Sequence, residues 1–208
     1  MMTGSVAYFS SAYLAPVAYW KAFLACKEAC LDLNEHYVKQ TYRNRCRIMT
    51  ANGVMDLAIP VLRTGKVAMR DVRVSYTVDW QKQHWRAIEA AYNSTPFFEY
   101  YRDDFEPIYS KRETFLVDIN CRLAEVVTEL LQIDKRMSLI PEYKAEFKVG
   151  ELDLRSLFSP KKVSEESVQT YYQVFSDRFG FVPNLSIVDL LFNMGPESIF
   201  VLMPNLLK

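Results

Sequence analysis

The chain has 208 residues, half of them hydrophobic and 14% aromatic, and its 25 lysines and arginines balance 25 aspartates and glutamates to a formal net charge of zero. A chain of this length buries well over half of the surface its unfolded form exposes, so it needs no disulfide or metal to fold. The missing positive excess argues against nucleic-acid binding, which rests on many phosphate contacts, and any anion site must be local.

The run from Val6 to Cys26 is apolar, but no lysine or arginine precedes it, Pro16 interrupts it and Lys21 lies within it. It is therefore read as core structure of a soluble, cytoplasmic protein with no integral membrane span. Val6 to Phe9 is expected as a strand, Pro16 opens a helix through Tyr19, Trp20, Phe23, Leu24 and Lys27, and Ala29 to Leu33 is a second strand. A strand–helix–strand opening favours a parallel pair joined by a right-handed crossover. Two β runs then flank Asn52-Gly53, a strong hairpin signal, and Val72 to Val78 alternates as another strand would. Trp85, Ile88, Ala91 and Tyr92 space a helix over 80–92, Thr95-Pro96 reads as the cap and first turn of a helix through Tyr101, and 115–131 is a long amphipathic helix. Residues 134–166 are polar and aperiodic, a loop excursion or lid within one domain spanning 1–208. Near the end, Ser186 and Asp189 resemble a capping box, Gly195 stops the helix and Pro196 prevents its return. The expected class is α/β: a central mixed sheet with a parallel strand–helix–strand start, a β-hairpin and flanking helices.

Cys26, Cys30, Cys46 and Cys121 form no CxxC pair, and His36 and His84 complete no zinc spacing, so no metal is expected. Glycine-rich phosphate loops and serine or cysteine nucleophile motifs are absent, and the sequence names no cofactor. The block Lys39-Gln-Thr-Tyr-Arg43-Asn-Arg45-Cys-Arg47 is the main local feature. If extended, its arginines share one face and offer rigid forks for phosphate or carboxylate. An ordinary solvated face paired with acids is the plain alternative. His84 would serve as a proton carrier, or pack as a core histidine among aromatics. Asp189 and Asn193 stand one turn apart and would reach a ligand together, although capping accounts for Asp189 equally well.

The segments Tyr13-Leu-Ala-Pro-Val-Ala-Tyr-Trp20, Tyr37 to Ile48, Asn52-Gly53 with Leu57 to Val61, Asp79-Trp80 with His84-Trp85, Ala91 to Phe98 and Leu185 to Ser198 occur in the order seen in the WbqC-like protein family, which the chain resembles. That resemblance implies a role in cell-surface polysaccharide (O-antigen type) biosynthesis. The resulting expectation is a transferase-like enzyme for a phosphate- or carboxylate-bearing small molecule, a nucleotide-sugar or acyl donor. Lys39, Arg43 and Arg45 would hold its charge, Asn44 would orient it, Asp189 and Asn193 would contact it, and His84 would carry the proton. The alternative is a non-catalytic assembly protein that docks an acidic partner through its arginine face and forms a homo-oligomer through its aromatic helices.

Overall fold

In the computed structural model, residues 5–62, 65–160 and 169–203 are described. Strand β1 (Val6–Phe9) is buried from Ala7 to Phe9, as suits an apolar run covered on both faces of a parallel sheet. Pro16, at φ −68°, leads into helix α1 (Val17–Ala25), and its carbonyl accepts the Tyr19 amide at 2.9 Å. Strand β2 (Glu28–Leu31) then pairs in parallel with β1, Ala7 opposite Ala29. The expected opening is present, with the second strand ending at Leu31 rather than Leu33.

Strands β3 (Arg45–Thr50) and β4 (Gly53–Ala58) form the hairpin as a separate antiparallel ladder. Its connecting residues are Ala51-Asn52, because Thr50 pairs with Gly53. Gly53 takes φ +105°, a conformation that strains any other residue, so the glycine signal was real but its place in the turn shifts by one.

No strand forms over 72–78. Arg73 bridges Phe115 and Val74 bridges Val61 as isolated pairs, while Met69–Asp71 is a 3-10 turn. The segment divides its backbone bonds between two different neighbours, Ser75 N to Pro60 O and Leu62 N to Arg73 O on one side and Val74 N to Thr114 O and Leu116 N to Val72 O on the other, so no continuous ladder develops with either.

Helices α2 (Trp80–Tyr92), α3 (Phe98–Ser110) and α4 (Leu116–Leu130) follow. Thr95 does not cap α3; its hydroxyl donates to the Tyr92 carbonyl at 2.6 Å and closes α2 instead.

Residues 134–160 contribute strands β5 (Met137–Leu139) and β6 (Glu151–Asp153), which complete a four-stranded parallel sheet in the order β5-β2-β1-β6. Both are three-residue, half-exposed edge strands, too short to print an apolar alternation. Residues 161–166 of that stretch lie outside the described residues. After the short helix α5 (Ser176–Phe179), helix α6 (Ile187–Met194) is buried from Ile187 to Asn193, and α7 (Ser198–Leu202) ends the described chain. Phe192 of α6 packs its ring against Tyr92, Phe98 and Phe105, joining α6 to α2 and α3. The amides of Val17 and Ile187 bond Leu185 O and Ala15 O, so α1 and α6 start from one bridged pair beside the sheet.

Candidate functional site

All four strands of a parallel sheet end on one side, and the loops that leave them form the crevice where such folds place ligands. Here Ser10 and Ser11 follow β1, Asp32 to Glu35 follow β2, and Leu154 and Arg155 follow β6. Asp32 is fully buried; its carboxylate accepts Arg155 Nη1 at 2.7 Å and the amides of Asn34 and Glu35 at 2.9 and 3.2 Å. Arg155 also grips both oxygens of Asp153 at 2.8 Å, and its guanidinium faces the rings of Tyr143 and Phe147 at 4.8 and 5.1 Å. Arg155 thereby holds the Asp153 carboxyl below its usual range, whereas burial pushes that of Glu35 up. This network joins the carboxyl ends of β2 and β6.

Arg43 belongs to the same network. Its Nε and Nη2 donate to the Glu35 carboxylate at 2.8 and 2.6 Å, Nη2 also reaches Arg155 O, and Nη1 reaches Thr41 Oγ1. The expected row of three arginines therefore does not form: β3 begins at Arg45, and Arg43 turns inward to satisfy a buried carboxylate. Arg45 and Arg47 share Asp56 on the hairpin's half-buried face, each at 3.7 Å. The Asn44 amide donates to Ile59 O at 2.8 Å, and Lys39 is exposed in the preceding turn.

His84 is buried in α2. Its Nδ1 and the Tyr13 hydroxyl share a hydrogen bond at 2.9 Å, and the Tyr13 hydroxyl shares another with that of Tyr109 at 2.8 Å. Burial pushes the imidazole down to about 4, so it is neutral at pH 7. Among the described residues no side-chain hydrogen bond or ion pair joins His84 to Lys39, Arg43 or Arg45.

Asp189 and Asn193 do share one face of α6, but that face is closed by protein. Asp189 accepts the hydroxyls of Tyr92 and Tyr171 at 2.8 Å each and Gln173 Nε2 at 3.0 Å. Asn193 donates to Asp189 O at 2.7 Å and accepts the Val174 amide at 3.0 Å. Burial pushes the Asp189 carboxyl up to about 6. Ser186 caps the helix through the Val188 amide, but Asp189 does not complete a capping box, because its carboxylate is taken up by the two tyrosines and Gln173.

What sequence reasoning missed is a cleft between α1 and α4. At its inner end a cavity of about 40 Å³ is lined by Ser11, Tyr19, Trp20, Asn120, Cys121 and Met137, among others. A wider cleft of about 260 Å³ shares Trp20, Leu31, Cys121, Ala124 and Met137 with it and carries Glu125, Lys135 and Arg136 on its lining. Asn120 Nδ2 donates to Ser11 Oγ at 2.8 Å and to Arg43 O at 2.9 Å, which fixes the orientation of the amide. Its Oδ1 is buried without a partner, and so is the indole Nε1 of Trp20. Asn120 and Trp20 both line the cavity, and Asn44 Oδ1, Arg45 Nε and Trp80 Nε1 are buried without a partner as well. Burial pushes the Cys121 thiol up to about 11, which makes it wall rather than nucleophile. A sequence clue existed: Asn120 is a polar residue on the buried stripe of α4, between Ile119 and Leu123.

Lys135 is occupied elsewhere, its ammonium bonding the Phe23 and Cys26 carbonyls at the end of α1, while Arg136 is exposed and has no ion pair among the described residues.

No solved structure matches the chain significantly. The uncharacterized protein Rv1507c of Mycobacterium tuberculosis is 29% identical over 223 aligned residues, covering 93% of this chain and 95% of that protein. Residues 11–156, which hold the charge network and the cleft between α1 and α4, match the WbqC-like protein family. The chain belongs to the WbqC-like protein family.

Proposed function

We propose that this protein is a cytoplasmic, transferase-like enzyme of cell-surface polysaccharide biosynthesis that binds an activated acyl donor in the cleft between α1 and α4. The observation that carries this reading is an apolar cavity continuous with a wider cleft, two of whose lining residues, Trp20 and Asn120, each keep a buried side-chain atom without a hydrogen-bond partner. An acyl carbonyl would accept from the indole, a hydroxyl or amide N–H of the same group would donate to Asn120, and hydrocarbon would lie against Leu31, Cys121, Ala124 and Met137. The inner cavity has room for only a few heavy atoms, which favours a short acyl group. Arg136, exposed where the wider cleft opens, suits the anionic carrier of such a donor. A nucleotide-sugar held by Arg43 fits less well, because that fork is already filled by Glu35. The polysaccharide setting comes from the family.

Thermal-shift and calorimetric titration with short acyl-coenzyme A donors, beside nucleotide-sugars, tests this. Acyl donors should raise Tm by mass action, and Trp20→Phe, which keeps the ring and removes the N–H, should weaken binding about tenfold, the worth of one buried hydrogen bond. No shift with any acyl donor, or unchanged affinity in W20F, would remove the assigned site.

A further inference from the structure

A second cleft, of about 220 Å³, lies where residues 72–76 cross the chain entering α4, and Leu62, Arg73, Val74, Tyr76, Arg112 and Glu113 line it. Its walls are fastened to one another: Leu62 N bonds Arg73 O, Val74 N bonds Thr114 O, and Leu116 N bonds Val72 O, at 2.9 to 3.0 Å. Tyr76 is fixed at its hydroxyl, which donates to Glu113 O at 2.8 Å and accepts Glu113 N at 2.9 Å. Onto this frame two arginines are laid by ring contacts rather than ion pairs. The Arg112 guanidinium stands over Tyr76 at 5.1 Å and that of Arg73 over Phe115 at 5.6 Å.

The charge is unbalanced here. Neither Arg73 nor Arg112 has a carboxylate in ion-pair reach among the described residues, although Arg43, Arg45, Arg47, Arg102 and Arg155 all do. The one acid in the wall, Glu113, is engaged by Lys111 at 2.9 Å and Arg122 at 2.8 Å, which hold its carboxyl below the usual range. Arg73 and Arg112 thus line the cleft beside a carboxylate that two other cations already engage, in a chain whose net charge is zero.

We propose that this cleft is a phosphoryl-binding site, taking the diphosphate or phosphate of a phosphorylated small molecule between Arg73 and Arg112. A carboxylate is saturated by a single guanidinium fork, whereas two forks match the several oxygens and higher charge of a phosphoryl group. The ring contacts hold the arginine planes in place at low entropic cost and leave their donor edges free. The site shares no residue with the acyl cleft and does not depend on it.

Titration of the full-length protein with pyrophosphate and with uridine diphosphate, followed by calorimetry and by amide chemical shifts, tests the assignment. Saturable binding should perturb the amides of Val74 and of 113–116. The double variant Arg73→Gln/Arg112→Gln, at two exposed positions, should lose at least tenfold in affinity while its Tm stays at that of the native protein. Arg102→Gln, whose arginine already faces Glu89 and Glu106, should bind as the native chain does. No saturable binding of either probe, or equal affinity in the double variant, would overturn the proposal.

Discussion

Asp189 and His84 are both buried, and their carboxyl and imidazole titrate in opposite senses. The Asp189 carboxyl moves from 3.8 to about 6 on burial, so between about pH 4 and 6 the folded chain holds more protons there than the unfolded chain. Stability from this group falls as pH rises through that window. The His84 imidazole moves from 6.5 down to about 4, so the unfolded chain holds the extra proton, and stability from this group rises with pH over about 4 to 6.5. Each effect is on the order of 3 kcal/mol, and in the native protein they largely cancel. Asp189→Asn removes one side of the balance: relative to the native protein, its Tm should drop progressively as pH is lowered from 6.5 to 4. His84→Gln should do the reverse. Scanning calorimetry across that range decides it, and a pH-independent difference in Tm for both variants would contradict the burial argument. The charged network offers a second test at this scale. Arg43→Ala leaves the Glu35 carboxylate buried and alone, a loss of about 3–5 kcal/mol by denaturant titration, whereas Lys39→Ala, on an exposed turn, should change stability by less than about 0.5 kcal/mol. The sequence shows that Arg43, His84 and Asp189 are chemically capable residues. Whether a capable side chain meets solvent or another side chain depends on residues as distant as Arg155 and Tyr171, and no local spacing reports that.

Helix α6 shows where local rules work. Ser186 was readable as its cap, and its hydroxyl both accepts the Val188 amide and donates to Leu14 O at 2.9 Å. Gly195 was readable as its stop; it has φ +56°, and a Cβ there would lie 2.4 Å from the Phe97 ring. Gly195→Ala should therefore cost about 1–3 kcal/mol through strain and overlap together, while Ser186→Ala should cost about 1–2 kcal/mol. Chemical denaturation measures both, and a neutral G195A would show that Phe97 yields freely. The same rules misled at Thr95, a good capping residue placed before a proline, because its hydroxyl found the Tyr92 carbonyl first. They misled again at 72–78, where alternation was present but a continuous partner strand was not. A cap is settled within four residues of sequence; a strand needs a neighbour.

At the scale of the whole molecule, the sheet is closed late. β1 and β2 pair at the start of the chain, but their outer neighbours arrive only with β5 and β6, more than a hundred residues on. Hydrogen exchange should reflect that order. Amides of Ala7 to Phe9, central and buried, should exchange slowest, and those of 137–139 and 151–153, on half-exposed edges, should exchange well before them. Equal protection across all four strands would mean that the edges open only with the core. Because Arg155 ties Asp32 after β2 to Asp153 of β6, Arg155→Ala should abolish much of the protection of 151–153 in the same experiment.

The sequence by itself determined the α/β class, the strand–helix–strand opening, the hairpin, helices α1, α2 and α4 and both ends of α6, but not α5, the full length of α3, or α7, which forms just after Pro196. The features it determined follow from apolar periodicity and from backbone preferences of proline, glycine and serine, which act within a few residues. Only the tertiary structure decided that 134–160 supplies both sheet edges, that Arg43 serves Glu35, and that Trp20 and Asn120, a hundred residues apart, line one cavity. Those outcomes depend on which groups the fold removes from water together, and desolvation is a property of the assembled packing rather than of any segment.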